Sequence, residues 1–215
     1  ERMGKMAVEC PMTVEQALLD VAANRFGAAV APTVVQAWKT MSVAFREFPF
    51  HIGVVYSAPL QMGPANPLWE KPTRYSASMV GFPYDDLDAW RSVYPADVFA
   101  SQLETVADGF DAAAARLNDA IQQAMPASSQ MYEVIAEWRI AEAAAIHFRS
   151  AAAQARYVAA RNALADAATP EIRNASCLDA IEKALRTELM LARRLYEIQI
   201  HDSRIGYESS NQYYY

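Results

Sequence analysis

ADVFASQLETVADGFDAAAARLNDAIQQAM, residues 96–125, opens behind Pro95 and closes against Pro126. Within it Phe99, Leu103, Val106, Phe110, Ala113, Leu117 and Ala120 recur at alternating steps of four and three. That spacing puts them on one stripe of an α-helix. Proline suits the first helical turn, where its missing amide is not needed, and stops a helix that runs into it. The stretch predicts a helix from Pro95 to about Met125.

The pattern recurs twice downstream. Ser129 to Ala168 carries Met131, Val134, Trp138, Ala141, Ala145, Phe148, Ala152, Ala155 and Ala159, and stops at Thr169-Pro170. Pro170 to His201 carries Leu178, Ile181, Leu185, Leu189, Ala192 and Tyr196. Narrow seams of this kind belong to helices that cross at small angles, so residues 95–202 read as a three-helix antiparallel bundle. Alanine at many seam positions lets the backbones approach closely. Asp179/Lys183 and Glu182/Arg186 are spaced as ion pairs on the solvated side.

Two shorter helices are expected over residues 1–50. Thr13 and Gln16 form a capping-box pattern ahead of Val14, Ala17, Leu18, Val21 and Ala22, and Gly27 is placed to end that helix in a left-handed conformation. The second follows Pro32-Thr33, with Val34, Ala37, Trp38, Met41, Phe45 and Phe48 on one stripe and Pro49 as its stop. Between the two sets of helices, prolines at 49, 59, 64, 67, 72 and 83 forbid any long helix. Residues 51–94 therefore read as an irregular loop or small subdomain, with His51–Tyr56 and Ala77–Phe82 as short strands. The fold class is mainly α: an antiparallel bundle of long helices with a long Pro/aromatic-rich insertion.

The formal net charge of −6 gives no footprint for a phosphate backbone, so nucleic acid is a poor partner. No apolar run reaches the roughly 18 residues that span a membrane. The chain is expected to be soluble, cytoplasmic or periplasmic, with no membrane partner. The two cysteines, Cys10 and Cys177, and the three histidines, His51, His147 and His201, have no metal-ligand spacing. There is no Gly-x-Ser-x-Gly elbow and no glycine-rich phosphate loop, so neither metal nor cofactor is expected. Asn174-Ala175-Ser176 matches a glycosylation acceptor and carries little weight. Both ends read as cut, and residues 203–215 as a truncated tail, so the chain is expected to be one domain of a larger protein.

The richest chemistry lies in Gly81-Phe82-Pro83-Tyr84-Asp85-Asp86-Leu87-Asp88-Ala89-Trp90, with Gln61, Asn66, Trp69 and Arg74 upstream and Tyr94 behind. Aromatic faces cover the C–H side of a sugar ring, while carboxylates, amides and guanidinium bond its hydroxyls. Trp69, Arg74, Tyr84, Asp85, Asp86, Asp88 and Trp90 are the sugar-contact candidates here, joined by Glu208 and Asn211 from the tail. The structural alternative is that Asp85 and Asp86 cap a turn while the aromatics bury the segment against the bundle. Adjacent aspartates point apart in extended chain, so they do not form a glycosidase's carboxyl pair by themselves.

Val21–Gly27, Val35-Gln36-Ala37-Trp38 with Ser42, Ala44-Phe45 and Phe48-Pro49, the run GFPYDDLDAWRSVYP and the ending RIGYESSNQYYY resemble the C-terminal helical region of large bacterial glycoside-hydrolase-type proteins. Those proteins pair a (β/α)8 barrel with such a region. The resemblance covers most of the chain. It implies catalytic carboxylates in a barrel outside this sequence, and no catalytic residue carries over. It further implies a carbohydrate-active parent, with the missing N-terminal catalytic domain as a partner and residues 49–94 near a sugar cleft. The competing readings are a helical protein–protein interaction or structural module without a carbohydrate role, and a self-contained enzyme using Asp85, Asp86 and Glu208.

Overall fold

The computed structural model describes residues 12–79, 81–123, 129–165 and 171–205, the last starting with four residues described by backbone alone. Cys10, the Asn174 side chain, Glu208 and Asn211 lie outside what is described. Among the described residues seven α-helices follow in order: α1 (Val14–Phe26), α2 (Ala31–Ala44), α3 (Ile52–Ser57), α4 (Leu87–Arg91), α5 (Ala96–Gln123), α6 (Ser129–Ala165) and α7 (Glu171–Gln199). Single 3-10 turns sit at Phe45–Glu47 and Gly63–Ala65. There is no strand among the described residues, and no described helix is long and apolar enough to cross a membrane.

The capping box forms: Gln16 N donates to Thr13 Oγ1 at 3.2 Å, and Thr13 N donates to Gln16 Oε1 at 2.9 Å. Gly27 ends α1 with φ 95°, a region that β-carbon-bearing residues avoid.

The long helices run antiparallel. On α5 and α6, Arg156 bonds Glu104 at 2.6 Å and Arg149 bonds Asp108 at 2.9 Å, so numbers fall on one helix as they rise on the other. On α6 and α7, Ser150 bonds Glu188 at 2.8 Å while Glu142 meets Arg194 at 2.5 Å. At about 1.5 Å per residue the 37-residue α6 spans roughly 55 Å. It is the central helix, with α5 and α7 both packed along it; α2 lies on α5, and α1 touches α2 and α6. Consequently α6 is buried on several sides between Ala141 and Arg161, not along one stripe. The α2–α5 crossing is close enough that a β-carbon on Gly109 would stand 2.1 Å from Ala44 Cβ.

Residues 51–94 depart from the expected strands. His51–Tyr56 coils into α3, because His51 caps it: Gly53 N donates to His51 Nδ1 at 3.0 Å. The described residues of 77–82 pair with no described strand; Ala77 N instead donates to Asp86 Oδ2 at 2.9 Å. The segment shares the bundle's core, since Val54, Ala58 and Trp90 pack with Phe99 and Leu103 of α5, Ala151, Ala155 and Val158 of α6, and Ala184 of α7.

The seam expected on the last helix is also corrected. Leu178, Leu185, Leu189, Ala192 and Tyr196 face outward, with Ile181 half-buried. A second seam, Ala184, Glu188, Leu191, Leu195 and Ile198, is the one that is buried. Glu182–Arg186 forms at 2.7 Å as expected. Cys177 is a half-buried free thiol.

Candidate functional site

The acidic aromatic segment is built around two carboxylates with different partners. Asp85 points into the protein. Thr73 N donates to its Oδ2 at 3.1 Å, the Thr73 hydroxyl bonds Oδ1, and Arg161 Nη1 donates to Oδ2 at 2.7 Å. The side chains of Arg161 and Asp85 are only 7% and 6% exposed. Burial by itself raises the Asp85 pKa, but the bonds from Thr73 and Arg161 outweigh it and hold the carboxyl below its ordinary value. Asp86 points along the chain. It caps α4 through Ala89 N at 3.2 Å and ties back Ala77 N with its other oxygen. Asp86 takes the capping role offered by the turn-and-cap alternative, while Asp85 ties Thr73 to Arg161.

The other candidates divide into buried and exposed. Trp90 is fully buried, and its indole N–H donates to the Pro83 carbonyl at 2.8 Å. Its ring therefore has no face left for a ligand, which corrects its place among the sugar-contact residues. Trp69 is half-exposed, but its carbonyl accepts from Arg161 Nη1 at 2.9 Å and Tyr157 Oη at 3.1 Å. Asp88 is exposed and paired with Arg91 at 2.5 Å. Tyr84 stacks obliquely between Tyr75 at 5.1 Å and Phe82 at 6.0 Å. Arg74 and Tyr84 both take positive φ, 61° and 49°, as does Ser92 at 50°. Such conformations persist only where neighbours over-determine them.

The structure thus brings Arg74, Asp85, Asp86 and Asp88 around one polar groove of about 270 Å³, together with Tyr75 and Arg161. Trp69 and Trp90 stand outside that lining, and Glu208 and Asn211 lie outside the described residues. Two of the three carboxylates in the groove are held by backbone amides and Arg161. The arrangement fixes the segment; it offers no free acid and base pair.

Beneath the segment runs a buried polar chain that the sequence did not signal. Asn66 Nδ2 donates to the Tyr84 carbonyl at 3.0 Å and to Gln154 Oε1 at 2.8 Å. Gln154 Nε2 donates to the Gly63 carbonyl at 2.7 Å and to Ser150 Oγ at 2.8 Å. Ser150 donates in turn to Glu188 Oε2 at 2.8 Å. From Asn66 onward the donors point the same way and end on Glu188, whose other oxygen has no partner among the described residues. Burial pushes the Glu188 carboxyl up to about 7. Nearby, His147 Nδ1 donates to the Leu60 carbonyl at 2.7 Å, and burial lowers its pKa. Among the described residues no cluster of His, Cys, Asp and Glu has the make-up of a metal site.

A third feature is apolar. Phe45, Phe48, Val55, Leu60 and Phe148 line a groove of about 450 Å³ with Phe50 at its edge. Phe45 and Phe48 stack at 5.1 Å, and Phe148 leans on both at 6.1 Å. Phe50 is 75% exposed, Ile52 59% and Tyr56 46%. No protein-family model, curated protein or solved structure matches the chain.

Proposed function

We propose that this chain is a non-catalytic helical region that packs against a neighbouring protein surface, and that the neighbour is the catalytic domain of a carbohydrate-active hydrolase. One observation carries the packing role: the exposed apolar face of Phe45, Phe50, Ile52, Val55 and Tyr56 around the aromatic groove. Apolar side chains gathered this densely on an open surface mark a binding face. The internal commitment of Asp85 and Asp86 supports a non-catalytic role. The identity of the neighbour rests on the resemblance of GFPYDDLDAWRSVYP and the other quoted segments to glycoside-hydrolase-type proteins.

The test is hydrogen exchange of the amides at 45–60, measured on this chain alone and in the natural polypeptide that carries it. Slower exchange there, restored to the isolated rate by Phe50→Ser, is the expected result. Unchanged exchange overturns the packing role. A natural polypeptide whose adjoining domain neither binds nor hydrolyses a glycoside overturns the hydrolase assignment and leaves a plain interaction module.

A further inference from the structure

We propose that the outward seam of α7 pairs antiparallel with the same seam of a second copy of this chain. This is a different face from the one at 45–56, and the inference does not rest on it. Helix α7 carries two apolar seams. One, from Ala184 to Ile198, is used against α6. The other is uncovered among the described residues: Leu178 is 54% exposed, Leu189 60% and Tyr196 60%. A surface helix of a self-sufficient domain needs one apolar stripe, not two.

The open seam reads 178, 182, 185, 189, 192, 196, alternating steps of four and three. That is the period of a two-stranded coiled coil. Its register is self-complementary in one orientation. With a two-fold axis beside Thr187, the layers become Leu178 on the partner's Tyr196, Glu182 on the partner's Ala192, and Leu185 on the partner's Leu189, each occurring twice. Every leucine then meets an apolar side chain. The single polar layer places Glu182 opposite a small alanine, which leaves room for its existing bond to Arg186. A parallel pairing would set Glu182 against Glu182 in one layer, which like charges oppose.

Charge supports the same orientation. In the row beside the seam the same alignment sets Asp179 alongside the partner's Arg193, twice, and brings Arg186 beside the partner's Arg186 at the axis, each neutralised by its own Glu182. Neither Asp179 nor Arg193 has an ion pair among the described residues, although Asp179 is spaced to meet Lys183. A symmetric pair forms the Asp179 contact twice, as an isologous interface requires.

Sedimentation velocity of the full chain over a range of concentrations tests the pairing. A monomer–dimer equilibrium is expected. Leu189→Glu should weaken it by about tenfold or more, since it affects two layers, while helix content stays unchanged. Asp179→Arg and Arg193→Asp should each weaken dimerisation, and the double exchange should restore it. Orientation is read from nitroxide labels on Ile200→Cys in a background with Cys10 and Cys177 replaced by serine. Position 200 would face position 174 of the partner, so the two labels should lie about 40 Å apart at 1.5 Å per residue. A strictly monomeric chain, a label separation near 10 Å, or a dimer weakened by Phe50→Ser and indifferent to Leu189→Glu would each overturn the proposal. The last of these would leave the packing face at 45–56 standing.

Discussion

Arg161 of α6 reaches Asp85 at 2.7 Å across 76 residues of sequence, with both side chains all but removed from solvent. The same guanidinium bonds the Trp69 carbonyl, so one residue of the central helix pins the insertion at two points. Breaking a buried pair by removing one partner strands the other charge, at a typical cost of about 3–5 kcal/mol. Arg161→Met should lower stability to urea by that order. Asp85→Asn should cost a similar amount at neutral pH, because it keeps an oxygen for Thr73 but leaves the buried Arg161 guanidinium without its carboxylate. Because the folded Asp85 pKa is depressed, its contribution is present above the ordinary carboxylate range and is lost as pH falls through the folded value. The gap between wild type and Asp85→Asn should therefore close in acid. Equal gaps at pH 7 and pH 3 would remove the linkage.

Glu188 works in the opposite sense. Its carboxyl is raised from 4.5 to about 7 by burial, so the folded state favours the protonated form. The chain then loses stability as pH climbs from about 4.5 to about 7, by roughly 3 kcal/mol in all, and the penalty stays level above that. Glu188→Gln keeps an acceptor for Ser150 and puts an amide nitrogen in place of the oxygen without a partner among the described residues. It should be more stable than wild type at pH 8 and close to it at pH 4 in urea titrations. A difference between the two proteins that does not change with pH would show that burial leaves the carboxyl untouched.

Gly109 is the point where α5 admits α2. Replacing a helical glycine by alanine ordinarily gains about 1 kcal/mol. Here the new methyl would collide with Ala44 Cβ, so the helices must part. Gly109→Ala should therefore destabilise by about 1–3 kcal/mol. Thermal melts that show a gain would mean that the crossing opens at no cost.

The parts of this fold legible in the sequence are those set by local chemistry. Thr13 with Gln16, Gly27 and Pro95 mark helix ends because caps and proline act within a few residues. What the sequence did not disclose depends on distant partners. The last helix presents two apolar seams, and the one beginning at Leu178 reads better because the other contains Ala184 and Glu188. Only α6 decides which is covered, through Ser150 and Ile146. The strand reading of His51–Tyr56 followed from its β-branched residues, and the His51 cap overrides it. The buried polar chain was invisible for the same reason, since Asn66 and Gln154 are 88 residues apart. For the site, the Asp86 cap and the burial of Trp90 belong to the turn-and-bury alternative that aspartate and aromatic chemistry already offered, whereas the tie of Asp85 to Arg161 depends on a partner 76 residues away.

Asp86 gives the sharpest separation of structural from chemical roles in the segment. Its two oxygens serve two amides, capping α4 at Ala89 and securing Ala77. Loss of an N-cap typically costs about 1 kcal/mol, and here the bond to Ala77 N is lost with it. Asp86→Ala should therefore destabilise by about 1–2 kcal/mol. Asp86→Asn keeps one acceptor oxygen, enough for the cap, and should lose about half as much. The wild-type chain is expected to release no aryl alcohol from aryl glycosides, and both variants to match it. A catalytic carboxylate gives the reverse order: Asn and Ala abolish turnover alike, whatever they do to stability. Measurable hydrolysis by the purified chain, lost in Asp86→Asn while its melting curve is unchanged, would transfer Asp86 from the frame of the segment to its chemistry.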